Sequence, residues 1–199
     1  MLLYDSPISG NCYKVRLLFA HLGIEYERRE VDVVDRSDPR DFLADLNPAR
    51  RAPTLVLDDG RPLAESNAII WYFAEGTRFV PGDRFERAQV LQWLFWEQYE
   101  HEPAIAVARF LKSYSGRVDW WEARREQLTK QGERVLATME SYLDGRDWFV
   151  GDAMTLADVC LYAYTHAAEE GGFSLDDKPA IRRWLERVAA DPGHVPIDA

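Results

Sequence analysis

Residues 47–69, NPARRAPTLVLDDGRPLAESNAI, allow most of the fold to be predicted. The β-forming run 54–57 (TLVL) is followed by 58–60 (DDG), a combination typical of a tight type I′ hairpin turn. A second short strand at 61–64 leads into Ser66, which is suited to cap a helix. The stretch therefore predicts strand, hairpin, strand and helix in close succession.

Shorter strand and helix patterns precede this stretch. Residues 2–4 are apolar, and the segment 12–22 has helical spacing that ends at Gly23. Alternating apolar and charged residues at 26–34 predict a half-exposed strand, and we expect a helix after it, through Leu46. The predicted order of the first part of the chain is β-α-β-α-β-β-α.

The rest of the chain has helical patterns without a strand pattern. A turn-rich linker at 76–83 separates the two parts, and Pro103 can kink the aromatic-rich helix predicted from 84 to 112. We expect a mixed α/β domain at 1–77 and an all-helical domain at 84–199. The further helices are predicted at about 119–144, 155–169 and 178–190.

Composition opposes several classes of protein. A net charge of -10 opposes general binding to nucleic acid or acidic lipid, because phosphate contacts need clustered Lys and Arg. Cys12 and Cys160 are too few for a disulfide framework, which favours the cytoplasm. Neither a signal peptide nor the ~20 consecutive apolar residues of a membrane helix are present. The four His residues lack metal-ligand spacing, so we expect no metal site.

The loop 6–12 (SPISGNC) precedes the first predicted helix, whose unpaired N–H groups and dipole would stabilise a thiolate. Ser9 can donate a hydrogen bond to such a thiolate, or it can serve with Asn11 only in turn and cap geometry. Cys12 has two interpretations. A thiol at a helix N-terminus can act as a redox nucleophile, whereas a free Cys is commonly a small buried residue, which this loop alone favours.

Two further segments are suited to an anionic ligand and to an amino-acid head group. Arg51 and its basic neighbour can attract an anion or simply be solvated, and a cis bond at Pro53 would turn the Ala52 backbone towards a ligand, although trans is commoner. At the next helix start, the N–H groups after Ser66 can bind a carboxylate while Glu65 pairs with an ammonium. The alternative is that Ser66 is only a cap.

Two patterns in the second part indicate structure rather than chemistry. Thr155 and Asp158 predict a capping box at the start of a buried helix. Aromatic residues at helical spacing usually pack in a core or an interface. We expect this of the cluster Trp93, Phe95, Trp96 and Tyr99.

Together, these motifs resemble those of the cytosolic-type glutathione S-transferase superfamily, with a serine loop of the theta-like or zeta-like kind. The resemblance covers nearly the whole chain and implies a thioredoxin-like domain followed by an all-helical bundle, usually as a homodimer. It implies glutathione as cosubstrate, with no further cofactor. The motifs are SGNCYKVR at 9–16, NPARRAPTL at 47–55, ESNAI at 65–69 and TLADV at 155–159.

The resemblance also implies roles for individual residues. Ser9 matches the catalytic serine that hydrogen-bonds the glutathione sulfur and promotes thiolate attack on a small hydrophobic electrophile. The implied glutathione-binding residues are Ser9, Asn11, Arg51, Ala52, Pro53, Glu65 and Ser66. For the hydrophobic substrate we expect contacts from Ile8, Tyr99 and Phe110.

Two alternative functions stay open at this stage. Cys12, close to Ser9, allows glutathione-dependent disulfide reduction, and a transferase-like fold can also serve as a noncatalytic protein-binding module. The set of Arg51, Pro53, Glu65 and Ser66 speaks against the module. The absence of an SSCS-type loop argues against a maleylacetoacetate isomerase.

Overall fold

The computed structural model of the chain describes residues 1–35 and 41–199. These residues form two compact units. The N-terminal unit comprises Met1–Glu75 and Pro192–Ala199, and the helical unit comprises Gly76–Asp191.

A four-stranded mixed sheet forms the centre of the N-terminal unit, in the order β2-β1-β3-β4. The strand β1 is parallel to β2 and antiparallel to β3, which also pairs antiparallel with β4. The predicted thioredoxin-like α/β architecture is confirmed. The strands are β1 (Leu2–Asp5), β2 (Glu27–Glu30), β3 (Thr54–Val56) and β4 (Pro62–Ala64).

Two helices complete the N-terminal unit. Helix α1 (Gly10–Leu22) ends at Gly23, which has a φ of 63° that a glycine adopts without steric cost. Helix α2 (Ser66–Ala74) buries Ile69 and Ile70 completely. Each helix follows a strand of the sheet in the chain, α1 after β1 and α2 after β4.

The loop between β3 and β4 differs from the predicted turn type. The amide of Gly60 donates to the Leu57 carbonyl at 2.9 Å, and Gly60 has a φ of 86°. A type I′ turn requires positive φ at both central residues, but Asp58 and Asp59 have negative φ. The type I′ prediction is therefore wrong, because the glycine that takes the left-handed conformation lies at the fourth turn position.

The connection after β2 contains a short 3-10 turn at Asp41–Leu43. Leu43 is fully buried and packs with Tyr4 and Val31. A helix was predicted through this segment. Residues 36–40 of that prediction lie outside the described residues, and after them the chain forms the 3-10 turn and a hydrogen-bonded turn instead.

The segment 192–199 packs in the N-terminal unit, although the sequence prediction placed it in the helical domain. The reason is a pair of hydrogen bonds from side chains of α1 to backbone carbonyls of the segment. The Tyr13 hydroxyl donates to the Val195 carbonyl at 2.6 Å, and the Arg16 guanidinium donates to the Ile197 carbonyl at 2.5 Å.

The helical unit, all of whose residues are described, confirms the predicted all-α architecture. Every residue of α6 is buried, and Trp184 of α7 is among the fully buried side chains around it. Across the described residues, every helix is too short or too polar to span a membrane. The helices are α3 (Arg84–Trp96), α4 (Glu102–Ser113), α5 (Val118–Leu143), α6 (Leu156–Thr165) and α7 (Pro179–Ala189).

Helices α3 and α4 are joined by a single π-helical segment at Glu97–His101. The predicted kink residue, Pro103, lies directly after this segment, in the first turn of α4. Proline has no N–H to donate to the carbonyl four residues earlier, which belongs to Tyr99 inside the π-helical segment. The irregularity therefore lies where the missing donor of Pro103 acts. The helix predicted through residue 169 ends at Thr165 and is followed by a 3-10 turn at Ala168–Gly171.

The capping box at the start of α6 is confirmed. The buried Asp158 carboxylate accepts hydrogen bonds from the Thr155 amide at 2.8 Å, the Phe149 amide at 3.1 Å and the Trp184 indole at 3.0 Å. Burial raises the pKa of Asp158 to about 6, and these hydrogen bonds act in the opposite direction. Asp158 thus joins three separate segments of the helical unit.

Candidate active site

Three sequence motifs meet at one end of the sheet. Tyr4 of β1 pairs with Thr54 of β3, and Thr54 pairs with Ala64 of β4. Pro53 directly precedes β3, and Glu65 directly follows β4. By this register, both residues lie at the end of the sheet where β1 ends. Strand register therefore brings together the loop before α1, the proline segment and the start of α2.

Ser9 is the N-cap residue of α1. Its Oγ accepts a hydrogen bond from the Cys12 amide at 3.3 Å, and its own amide donates to the Ser6 carbonyl at 3.1 Å. Since Oγ is the acceptor here, the hydroxyl hydrogen can be donated to another atom. Ser9 thus combines a cap with the capacity to donate at the positive end of a helix.

Cys12 lies in the first turn of α1 and is fully buried. Burial raises the pKa of the Cys12 thiol to about 12, the charge of Asp5 adds to this effect, and a hydrogen bond with Ser9 opposes it. The nucleophilic form of a cysteine is the thiolate. The environment of Cys12 therefore suits the buried, unreactive interpretation.

Asn11 connects the starts of α1 and α2. Its Oδ1 accepts hydrogen bonds from Lys14 Nζ at 2.8 Å and from Ser66 Oγ at 3.2 Å. Lys14 is fully buried and Ser66 is 4% exposed. Two of the predicted glutathione-binding residues, Asn11 and Ser66, are thus in direct contact, with a buried ammonium group beside them.

The start of α2 differs from the predicted cap. Glu65 occupies the N-cap position, without a side-chain capping bond, and Ser66 is the first helical residue. The prediction of Ser66 as the cap is wrong because its hydroxyl donates to Asn11 instead. Glu65 has a φ of 69° and a ψ of 114°, a conformation that costs a residue with a side chain free energy and is concentrated at ligand sites.

The segment before β3 presents backbone and charge at the same edge. The Ala52–Pro53 peptide bond is cis, Ala52 is half-buried and Arg51 is exposed. Arg50 is engaged elsewhere, because its guanidinium pairs with Asp41 at 2.6 Å. Because Arg50 pairs with Asp41, Arg51 is the predicted basic residue that can supply positive charge beside Pro53.

Asn47 holds this segment in place and was not among the predicted site residues. Its amide nitrogen donates to the Arg51 carbonyl at 3.1 Å and to Thr54 Oγ1 at 2.9 Å. Its Oδ1 accepts from the Ala49 amide at 2.9 Å, and the side chain is buried. The only sequence signal was the Asn-Pro pair at 47–48, which indicates a turn without its partners.

The residues predicted to contact a hydrophobic substrate belong to both units. Ile8 is half-buried in the loop before α1, and Phe110 is half-buried on α4. Tyr99 is 82% exposed. Within the aromatic cluster predicted for a core or an interface, Trp93 is buried whereas Phe95 is 71% exposed. Among residues 1–35 and 41–199, no cluster of three His, Cys, Asp or Glu side chains is arranged to hold a metal ion.

Comparison with known proteins identifies the family. Residues 8–75 match the model of the glutathione S-transferase N-terminal domain, and residues 105–192 match that of the C-terminal domain. A crystal structure of a glutathione S-transferase from Pseudomonas fluorescens Pf-5 is 46% identical, with a TM-score of 0.91 and 98% of each chain covered. The chain belongs to the glutathione S-transferase family. As a glutathione S-transferase, it is a transferase enzyme.

Curated relatives of this glutathione S-transferase carry different activities. A maleylacetoacetate isomerase from Pseudomonas aeruginosa is 32% identical, over 96% of this chain and 92% of that protein. The disulfide-bond oxidoreductase YfcG from Escherichia coli is 27% identical, over 96% of this chain and 90% of that protein. Membership of the glutathione S-transferase family therefore does not specify the reaction, which depends on the residues of the site.

Proposed function

We propose that this glutathione S-transferase binds glutathione at the sheet edge and that Ser9 stabilises its thiolate for attack on a small hydrophobic electrophile. The observation that carries the proposal is the Ser9 hydroxyl, which accepts from the Cys12 amide and lies at the positive end of α1. A hydrogen bond to the thiolate favours the charged form and lowers the thiol pKa.

The proposed step is a displacement at carbon. The glutathione thiol loses its proton to solvent, and the thiolate is held by the Ser9 hydroxyl and the α1 dipole. A carbon–sulfur bond then forms while the leaving group departs with its bonding electrons. We infer no covalent enzyme intermediate, so Ser9 acts as a hydrogen-bond donor throughout.

The peptide part of glutathione would be held by the surrounding residues. The Ala52 backbone, directly before Pro53, is suited to pair with the cysteinyl residue. Glu65 would pair with the γ-glutamyl ammonium. Because the Ser66 hydroxyl donates to Asn11, the carboxylate would be bound mainly by the N–H groups of the first turn of α2. Arg51 would supply the local positive charge.

Burial of Cys12 argues against the alternative in which that thiol is the redox nucleophile. A second candidate reaction is nevertheless favoured by the relationship to YfcG, namely disulfide reduction by glutathione itself. In this reaction one thiolate attacks a disulfide, releasing a thiolate and forming a mixed disulfide. A second glutathione thiolate then attacks the mixed disulfide, giving glutathione disulfide and the second released thiolate. Ser9 would stabilise the attacking thiolate in both reactions.

We also propose that the enzyme is a homodimer. Leu91 and Phe95 are exposed apolar side chains four residues apart on α3, Phe85 near its start is exposed as well, and exposed apolar surface can mark an interface. Light scattering on Phe95→Glu would test this proposal, with a dimer in the wild type and a monomer in the variant as the expected result. The cytoplasmic location stays a prediction.

The contacts of the electrophile also belong to this proposal. Ile8, Tyr99 and Phe110 would supply apolar surface, which gives shape without fixing the identity of the substrate. Phe110→Ala should then raise KM for the electrophile and leave glutathione affinity unchanged. An unchanged KM would remove Phe110 from the substrate site.

The function is tested by glutathione calorimetry followed by ultraviolet absorbance of the bound thiolate against pH. We expect Ser9→Ala to raise the thiol pKa by at least about one unit and to lower kcat about a hundredfold, with Cys12→Ala unchanged. Ser9→Thr, which keeps a hydroxyl, is the matched control. Loss of the thiolate only in Cys12→Ala would instead indicate thiol chemistry at Cys12, and no binding would indicate a noncatalytic module.

A disulfide substrate and an aromatic chloride distinguish the two reactions of Ser9. Turnover of the aromatic chloride with formation of a thioether supports conjugation. Turnover of the disulfide alone, with glutathione disulfide as product, would support the second candidate. Both assays use the Cys12→Ala variant so that the Cys12 thiol does not contribute.

A further inference from the structure

Arg16 is a buried cation that binds the loop preceding Ser9. It lies in α1, two turns after its start, and is 3% exposed. One guanidinium nitrogen pairs with Asp5 at 2.5 Å and donates to the Ser6 carbonyl at 3.2 Å. The other donates to the Pro7 carbonyl at 3.3 Å. Arg16 thus fixes two consecutive carbonyls between β1 and Ser9.

The Ser6 carbonyl connects this contact to the proposed catalytic residue. It accepts from Arg16 and also from the Ser9 amide, at 3.1 Å. The Ser9 carbonyl in turn accepts from the Tyr13 amide at 2.9 Å, within the first turn of α1. The position of the Ser9 hydroxyl is therefore set by the helix on one side and by the carbonyls that Arg16 holds on the other.

The segment 192–199, which we call the strap, completes the environment of Arg16. The Ile197 carbonyl accepts from Arg16 at 2.5 Å, and the Val195 carbonyl accepts from the Tyr13 hydroxyl at 2.6 Å. These acceptors lie far along the chain from α1. The strap thereby satisfies two polar groups of the helix whose first turn carries Ser9.

A close approach fixes the start of the strap. A Cβ atom added at Gly193 would lie 2.3 Å from His21 Nδ1 and 2.9 Å from the His21 Cα atom. Such distances are too short for non-bonded atoms, and the second involves backbone, so a side chain would displace the strap. Gly193 therefore permits the contact of the strap with the end of α1.

We propose that Arg16 and the strap form a positioning element for Ser9, which keeps its hydroxyl where it can stabilise the glutathione thiolate. The inference rests on the function proposed above for Ser9. Arg16 is a positioning residue, since it acts through the Ser6 and Pro7 carbonyls. Small displacements of a donor reduce its effect on a developing or bound charge, because hydrogen-bond strength depends steeply on distance and angle.

Arginine is the side chain that this arrangement requires. Its planar guanidinium presents several donors in a fixed fork, so it can bind a carboxylate and three carbonyls at once. A lysine keeps the charge beside Asp5 but is a compact ammonium without that fork. Arg16→Lys therefore keeps the positive charge beside Asp5 but removes the guanidinium hydrogen bonds to the carbonyls.

The matched control is Arg28, on β2. It also contacts the Asp5 carboxylate, and it donates to the Ala199 carbonyl of the strap at 2.8 Å. Neither partner belongs to the carbonyls that lead to Ser9. Arg28→Lys replaces the other guanidinium that contacts Asp5 by an ammonium. It leaves the hydrogen bonds of Arg16 to the Ser6 and Pro7 carbonyls in place.

The test measures the pKa of glutathione bound to Arg16→Lys, Arg28→Lys, Gly193→Val and a chain that ends at Asp191. Hydrogen exchange of a peptide spanning residues 5–13 is measured on the same proteins without glutathione. Gly193→Val displaces the strap while keeping its residues, so it covers the case in which the shortened chain does not fold.

We expect Arg16→Lys and Gly193→Val each to raise the thiol pKa by about one unit and to speed exchange in the 5–13 peptide, with glutathione Kd within about threefold. Combining them should add little, because both act through the same carbonyls. Arg28→Lys should shift the pKa less than either variant, because its strap contact is at Ala199 and not at the carbonyls that Arg16 and Tyr13 bind. A pKa that stays at the wild-type value in both variants would overturn the proposal, even if the melting temperature falls.

Failure of the proposed function is recognised separately. It would show as a wild-type thiol pKa that is not lowered or as no effect of Ser9→Ala. The exchange measurement then still decides whether Arg16 and the strap hold the loop. If the exchange rate is unchanged in Arg16→Lys and Gly193→Val, Arg16 and the strap do not stabilise the loop, whichever reaction the enzyme catalyses.

Discussion

Ser66 donates a hydrogen bond to Asn11 across the starts of two helices, at 3.2 Å between Oγ and Oδ1. The same Asn11 oxygen accepts from the buried ammonium of Lys14 at 2.8 Å. Asn11 is therefore the common acceptor for a hydroxyl in the proposed carboxylate site and for a cation inside the N-terminal unit.

Asn11→Ala should lower both stability and glutathione affinity. It leaves the buried Lys14 without this acceptor, which should lower the free energy of unfolding by about 1–3 kcal/mol. It also frees the Ser66 hydroxyl to rotate. Urea unfolding and calorimetry are the measurements, and Asn11→Asp, which keeps Oδ1 beside Lys14, is the control. A stability loss as large in the Asp variant would show that the acceptor is not the cause.

Glu65 should show opposite effects on stability and binding. Because its positive φ costs free energy for a residue with a Cβ, Glu65→Gly should raise the free energy of unfolding by about 1 kcal/mol. The same change should weaken glutathione binding about tenfold by removing the proposed partner of the ammonium. Glu65→Ala is the matched control, with equal loss of affinity and no gain in stability. Equal stability of the Gly and Ala variants would contradict the backbone argument.

Asn47→Ala should act on binding more than on thiol activation. Loss of the bonds to Arg51 and Thr54 should destabilise the unit by about 2–3 kcal/mol and loosen the Ala52 segment, so glutathione Kd should rise. The pKa of the bound thiol should not change, because Ser9 is held separately. Denaturation, calorimetry and thiolate absorbance test these three parts. A shifted thiol pKa with unchanged Kd would reverse the assignment.

Cys12 should resist alkylation in the folded protein. A pKa of about 12 instead of 9.0 reduces the thiolate fraction near neutral pH about a thousandfold, and burial adds a barrier to access. Iodoacetamide labelling followed by peptide mass spectrometry should show Cys12 modified at least about a hundredfold more slowly than in urea. Labelling at the rate of the unfolded chain would revive Cys12 as a nucleophile.

Asp158 should give the helical unit a characteristic pH dependence. Its folded pKa of about 6 exceeds the ordinary 3.8, so between these values the native state binds more protons than the unfolded state. Its contribution to stability is therefore complete below about pH 4 and is lost as the pH rises through about 6. Asp158→Asn should destabilise at all pH values and abolish this fall, as measured by urea unfolding from pH 4 to 7, roughly.

The control for this pH series is Asp152→Asn, which changes an exposed aspartate in the loop before α6. Its curve should run parallel to that of the wild type. If the Asp158→Asn curve were also parallel, the titration of Asp158 would not contribute to stability.

Sequence patterns predicted the parts of the fold that depend on local chemistry. Gly23 ends α1 as expected, because a left-handed residue after a helix is a local requirement. Thr155 and Asp158 form the predicted capping box for the same reason. The turn at Gly60 was assigned to the wrong type, since an Asp-Asp-Gly sequence fits more than one hairpin geometry and only the backbone angles distinguish them.

The missing parts of the site depend on contacts between distant segments. Asn47 was not predicted because its partners are a carbonyl and a hydroxyl that only the folded loop brings within reach. The strap was assigned to the other domain because it binds α1 through carbonyls of Val195 and Ile197. Every residue has a carbonyl, so a sequence pattern cannot distinguish those that are used.

The strap also determines the order in which the N-terminal unit can be completed during synthesis. Residues 1–75 leave the ribosome first, but the acceptors of Tyr13 and Arg16 in 192–199 are made only after the whole helical unit. The residues around Ser9 are therefore synthesised early, but their hydrogen bonds to the strap can form only after residues 192–199 have been synthesised. A nascent chain stalled before residue 192 would carry Ser9 in a loop that still lacks the hydrogen bonds of the strap.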